Sequence, residues 1–169
     1  MRSRLVAGAL AGMVATAPMT AAMRRLHRLL ARKDRYPLPP REITSSVVPE
    51  LPQPLARDTA MAAHFAYGAL CGAALAVPAR KPSLAFGIAG GIGIWLGSYM
   101  GWIPAFRILK PATRHPAPRN ALMILSHAVW GSAYALVHAE IIESQAIMAG
   151  GPLKDVEKSP RKRSSTSPS

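Results

Sequence analysis

The sequence predicts an all-α integral membrane protein with four transmembrane helices, and three observations carry that prediction. Residues 5–23, 59–79, 82–106 and 120–139 contain no Asp, Glu, Lys or Arg. Each interval is close to the roughly 20 residues needed to cross a hydrocarbon core at about 1.5 Å per helical residue. Half of the 169 residues are apolar and only 17% are charged, with a mean hydropathy of +0.15. No interval carries the charged face that water would require of a helix. The basic balance, 21 Lys+Arg against 8 Asp+Glu for a net charge of +13, would ordinarily raise nucleic acid as a partner. Here the charge is segregated between the apolar intervals, where it acts as a topology signal and a lipid contact, so no nucleic-acid partner is expected.

Span one is placed near 5–23. Arg24 and Arg25 close it directly, and Ala15-Thr16-Ala17 runs into Pro18, a poor context for signal cleavage, so it reads as a retained helix. A long basic loop, 24–59, follows. Its Pro37, Pro39 and Pro40 break the preceding helix. Beyond them Ile43, Val47, Val48 and Leu51 have the spacing of a short helix lying on the membrane interface. Spans two and three, near 60–79 and 84–104, are joined by a turn containing Arg80 and Lys81. Loop three holds Arg107, Lys110, Arg114 and Arg119, and span four runs near 121–142. Residues 1–149 thus form one transmembrane domain. Residues 150–169 are basic and Ser/Pro-rich without apolar pattern, and read as a disordered tail. The single Cys71 lies in span two and says nothing of redox compartment. Loops one and three carry eight and four of the 21 basic residues, which leans toward a cytoplasmic position for both.

The two halves resemble each other. Arg57-Asp58-Thr59-Ala60-Met61 leads to His64-Phe65-Ala66-Tyr67-Gly68, and Arg119-Asn120-Ala121-Leu122-Met123 leads to His127-Ala128-Val129-Trp130-Gly131. Copies two spans apart share one orientation, which implies two repeated helical hairpins about an axis along the membrane normal. Asp58 and Asn120 are expected as N-caps of spans two and four. GxxxG spacings recur at Gly8/Gly12, Gly68/Gly72, Gly87/Gly91 and Gly93/Gly97/Gly101. In lipid such small-residue faces let helices approach closely, within a bundle or between two copies of a homo-oligomer.

The candidate intramembrane site is His64 and His127 with their aromatic neighbours Tyr67 and Trp130. Ionisable groups inside spans turn inward and often mark ligand or ion paths. Three readings stay open: helix-fastening hydrogen bonds to Thr16, Thr20, Ser98 or a carbonyl; ligation of a b-type haem or metal; and proton or solute movement. No cofactor is predicted, haem or metal being the alternative. His138 and Glu140 are expected at the interface. Arg24, Arg25, Arg41, Arg57, Arg107, Arg114 and Arg119 are candidate contacts for anionic headgroups. No Walker loop, zinc cluster, nucleophile elbow or paired intramembrane carboxylate is present, so no enzymatic activity is expected.

The phrases Ala11 to Thr20 (Ala-Gly-Met-Val-Ala-Thr-Ala-Pro-Met-Thr), Leu38-Pro39-Pro40-Arg41-Glu42, Trp95 to Tyr99, Arg114-His115-Pro116 and His127 to Gly131 resemble the YagU-like group of small bacterial inner-membrane proteins. The resemblance covers most of 5–142. It implies a multi-pass protein of the bacterial inner membrane in a group with no established molecular function, and it supplies no catalytic residue. A structural, interaction or stress-related role follows as the expectation.

Overall fold

The computed structural model describes residues 2–79 and 81–150. The expected tail lies, from residue 151 onward, outside the described residues. Within them the chain is helical and contains no strand. Helix α1 spans Arg2–Leu29, α2 Pro39–Val47, α3 Gln53–Leu75, α4 Leu84–Gly97, α5 Ile103–Ala105 and α6 Ala117–Met148. Three helical segments, Ser3–Leu29, Leu84–Ala105 and Ala117–Met148, are long and apolar enough to cross a membrane. The fourth expected span corresponds to α3. This helix has 23 residues, but it carries Arg57, Asp58 and His64 within its length, and it ends at Leu75 rather than 79. Those polar groups dilute its apolar run and separate it from the other three.

Helix α1 is central, packing on α3 along one side and on α6 along the other; α4 packs on α6, and α2 on α3. All neighbouring long helices run antiparallel, so residues 30–52 and 106–116 gather at one end of the bundle. Packing depends on small side chains. Ala7, Ala11 and Ala15 of α1 are fully buried. A Cβ added to Gly12 would run into the Gly68 carbonyl oxygen, and one on Gly131 into the Gly87 carbonyl oxygen. Backbone therefore touches backbone in the α1/α3 and α4/α6 pairs, the closest approach two helices can make.

These contacts follow a register of their own. Gly8 meets Gly72 and Ala76 as Gly87 meets Gly131 and Ala135; Gly12 meets Gly68 as Gly91 meets His127. By packing, His127 thus corresponds to Gly68, one turn from the His64 with which the sequence phrases pair it. In the Gly93/Gly97/Gly101 row an added Cβ would meet nothing within 4 Å, so this row takes no part in the packing.

Helix starts also differ from the sequence expectation. Helix α3 is capped by Pro52 and α6 by Pro116, each with a further proline in the first turn. Proline there has its φ set for the helix and lacks an N–H that would go unbonded in any case. Asp58 and Asn120 consequently sit inside their helices, and Asn120 Nδ2 donates to Ala112 O (2.8 Å) to fasten loop three. The expected continuous span 84–104 is interrupted. After Gly97 the chain enters a π-helical segment, Ser98–Trp102, with Gly101 at φ −109, ψ −108. Pro104 lacks the N–H that would bond back to this turn, and glycine tolerates the distortion. π segments widen a helix locally and recur beside functional sites.

Candidate functional site

Helices α3 and α4 are consecutive, yet they do not pack along their lengths. They meet where an added Cβ on Gly90 would stand 2.9 Å from Leu75 Cδ1, and where Tyr67 reaches the π segment. Tyr67 Oη lies 2.8 Å from Ser98 Oγ, and its ring centroid is 5.9 Å from that of Trp102. Around the second of these contacts, and extending from it toward α2, lies a cavity of about 420 Å³, within the range of small-molecule sites. Its back wall comes from α1 and α6 through Thr16, Met19, Met123 and Trp130, and α2 roofs it with Pro39, Pro40, Ile43 and Thr44. The mouth opens between α3 and α4, where Tyr67 is 36% and Trp102 37% exposed.

All four candidate intramembrane residues, His64, Tyr67, His127 and Trp130, line this one cavity. Their roles differ. Trp130 Nε1 donates to Gly12 O (3.1 Å) and approaches Thr16 Oγ1 (3.3 Å), tying α6 to α1, while its ring stacks on Tyr134 at 5.4 Å. His127 Nδ1 lies 2.8 Å from Met123 O. A carbonyl only accepts, so Nδ1 carries the proton and Nε2 keeps its lone pair. Ser98 Oγ donates to Ile94 O (2.7 Å), which makes Tyr67 the donor to Ser98. Of the partners expected for the histidines, His127 takes a carbonyl, Met123 O, and among the described residues neither histidine bonds Thr16, Thr20 or Ser98; Thr16 and Thr20 donate to carbonyls one turn back in α1. His64 Nε2 has no hydrogen-bond partner among the described residues.

Sequence reasoning missed Tyr99. It lines the cavity, is 4% exposed, and its Oη has no hydrogen-bond partner among the described residues. The distortion at Gly101 and Pro104 is the one sequence signal that could have marked it. Arg119 is close to this hydroxyl, and three of its five N–H groups go elsewhere: to Tyr36 O (3.2 Å), Pro37 O (2.7 Å) and Glu42 Oε2 (2.6 Å), with the guanidinium 3.5 Å over the Tyr36 ring.

Arg119 is therefore turned inward, 2% exposed, while Arg24, Arg25, Arg41, Arg57, Arg107 and Arg114 are exposed. It joins the loop-one arm and α2 to α6. Burial pushes the Glu42 carboxyl above its ordinary range, and Arg119 and His115 pull it partway back. Burial likewise raises the Tyr36 phenol. Tyr36 Oη is 2.6 Å from His115 Nδ1, whose ring is 5.8 Å from that of Tyr99. Beside this network Arg107, Lys110 and Arg114 border an open depression that also includes Tyr36, Glu42 and His115. At the opposite end, His138, expected at the interface, is fully buried, has neither ring nitrogen bonded among the described residues, and packs on Tyr134. There Arg4 Nη2 caps α3 through Ala76 O and Val77 O, both at 2.8 Å.

No family model, curated protein or solved structure matches the chain.

Proposed function

We propose that this chain is a four-span protein of the bacterial inner membrane that binds a lipophilic molecule, without chemically altering it, in the cleft between α3 and α4. The observation that carries the reading is the cavity itself: overwhelmingly apolar, backed by the bundle and entered from the side. A mouth between two helices faces the surface that lipid would cover, so a ligand dissolved in the bilayer reaches it directly. Support for the membrane setting comes from the outer surface, where Val6, Leu10 and Val14 of α1, Leu96 of α4, and Leu125 and Leu136 of α6 are exposed. A soluble bundle would present charge there. Helix α3 joins the spans in this reading because its 23 residues reach about 34 Å at 1.5 Å each, and it lies antiparallel against α1. The matched glycine contacts of α1/α3 and α4/α6 support an origin in two fused hairpins. The basic loops, gathered at one end, favour a cytoplasmic position for that end, and the resemblance to the YagU-like group supports the bacterial inner membrane.

The test is to purify the chain from membranes, strip loosely held lipid, and analyse the organic extract by mass spectrometry. One lipophile near one-to-one stoichiometry is expected. It should fall at least tenfold in Ala63→Trp, which narrows the mouth at a position that is exposed and lines the cavity. An extract that matches bulk lipid in both proteins refutes the reading.

A second reading rests on His64 and His127 lining the same cavity. They would there hold a haem or metal in place of an organic lipophile. A Soret band or stoichiometric metal in the purified protein, lost in His64→Ala, would establish it.

A further inference from the structure

The polar groups in the cavity restrict which lipophile fits, and this inference rests on the lipophile-binding reading. We propose that the ligand is a neutral lipid-soluble ring compound bearing a carbonyl oxygen, of the quinone type. Its oxygen would accept from Tyr99 Oη and sit beside His64 Nε2, with the hydrocarbon tail leaving through the α3/α4 mouth.

Three features converge on that chemistry. First, Tyr99 Oη and His64 Nε2 are buried, line the cavity and have no hydrogen-bond partner among the described residues. Buried polar atoms are bonded in the great majority of structures, and leaving one unmade is costly. A plain hydrocarbon would leave both unmade; an oxygen acceptor serves the tyrosine hydroxyl and, with the proton on Nε2, the histidine as well. Second, the head must be uncharged. The cavity lining contains no Asp, Glu, Lys or Arg, and Arg119, which lies outside the lining, is paired with Glu42 and bonded to the carbonyls of Tyr36 and Pro37. An anionic head would enter an apolar site without a counter-ion. Third, Tyr67, Tyr99, Trp102 and Trp130 all line the cavity. Flat aromatic walls favour a planar ring over a bulky or branched head.

Three probes that share a ten-carbon tail separate the possibilities: a decyl-substituted benzoquinone, decylbenzene and decanoate. Each is titrated into the full-length chain in phosphatidylcholine nanodiscs, with occupancy read by native mass spectrometry. The quinone should bind at least tenfold more tightly than either of the others. Tyr99→Phe should weaken it about tenfold, the usual worth of one good buried hydrogen bond, and leave decylbenzene unchanged. His64→Leu should act in the same direction, which keeps the inference testable if Tyr99→Phe fails to fold. Equal binding of quinone and decylbenzene, or quinone binding indifferent to both substitutions, overturns the ring-carbonyl inference and leaves lipophile binding standing. Tightest binding of decanoate overturns the neutral head. Absence of binding by all three probes overturns this inference and, together with a bulk-lipid extract, the reading beneath it.

Discussion

Replacing Arg119 with alanine should release the roof of the cavity while leaving the helix bundle intact. The guanidinium makes bonds of 3.2 and 2.7 Å to the carbonyls of Tyr36 and Pro37 and one of 2.6 Å to Glu42 Oε2. All three acceptors belong to the arm and to α2, whereas Arg119 belongs to α6. Removing one member of a buried pair costs about 3–5 kcal/mol, because the other is left without its partner. The side chains are 2% exposed for Arg119 and 18% for Glu42. Glu42 thus recovers some water, which places the cost at the low end, about 3 kcal/mol. That is a change of about 150-fold in the local opening equilibrium. Hydrogen exchange in nanodiscs measures it: amides of 38–48 should exchange roughly 100-fold faster, with those of 8–20 in α1 unchanged. Glu42→Gln keeps a neutral acceptor and should cost about 1 kcal/mol. Unchanged protection of α2 in Arg119→Ala, or an equal loss of protection throughout the bundle, would refute the assignment of Arg119 as the tie between roof and α6.

Other outcomes follow from the same contacts. Gly131→Val forces side-chain atoms against the Gly87 backbone and should lower thermal stability in detergent by about 1–3 kcal/mol, as overpacking does; Gly93→Ala, which meets nothing within 4 Å, should be neutral or stabilising by up to about 1 kcal/mol. Arg107 sits at φ 57 just after α5, with Ile108 N bonded to Ile103 O at 3.0 Å, a helix-ending turn that suits glycine. Arg107→Gly should therefore raise stability by about 1 kcal/mol in the same melt. Trp130→Phe removes the Nε1 bond to Gly12 O and should cost about 1 kcal/mol plus lost packing, measured by the same melting curve.

Much of the architecture was legible because charge placement along a chain is a one-dimensional property. The uncharged intervals located α1, α4 and α6, and the spacing after Pro40 located α2. The glycine pairs Gly8/Gly12, Gly68/Gly72 and Gly87/Gly91 were visible as spacings, and all four intramembrane candidates proved to line one cavity. Less was legible where a residue's role depends on a partner distant in sequence. Asp58 and Asn120 have the chemistry of caps, but the prolines at 52 and 116 start their helices earlier. His138 looks interfacial by position and is buried by the fold. Arg119 resembles the other loop arginines until its partners, about 80 residues away, are seen around it.

The sequence by itself determined that long apolar helices form and where basic charge must collect, since backbone hydrogen bonding and the cost of burying charge act on each segment separately. Only the tertiary structure decided that α3 and α4 stay apart, that α2 closes the space between them, and that Tyr99 turns into it through a widened turn of helix. Those outcomes depend on which backbones can approach one another. Glycine-to-glycine contact draws α3 onto α1 and α4 onto α6, and the cavity is the space that remains between the two pairs.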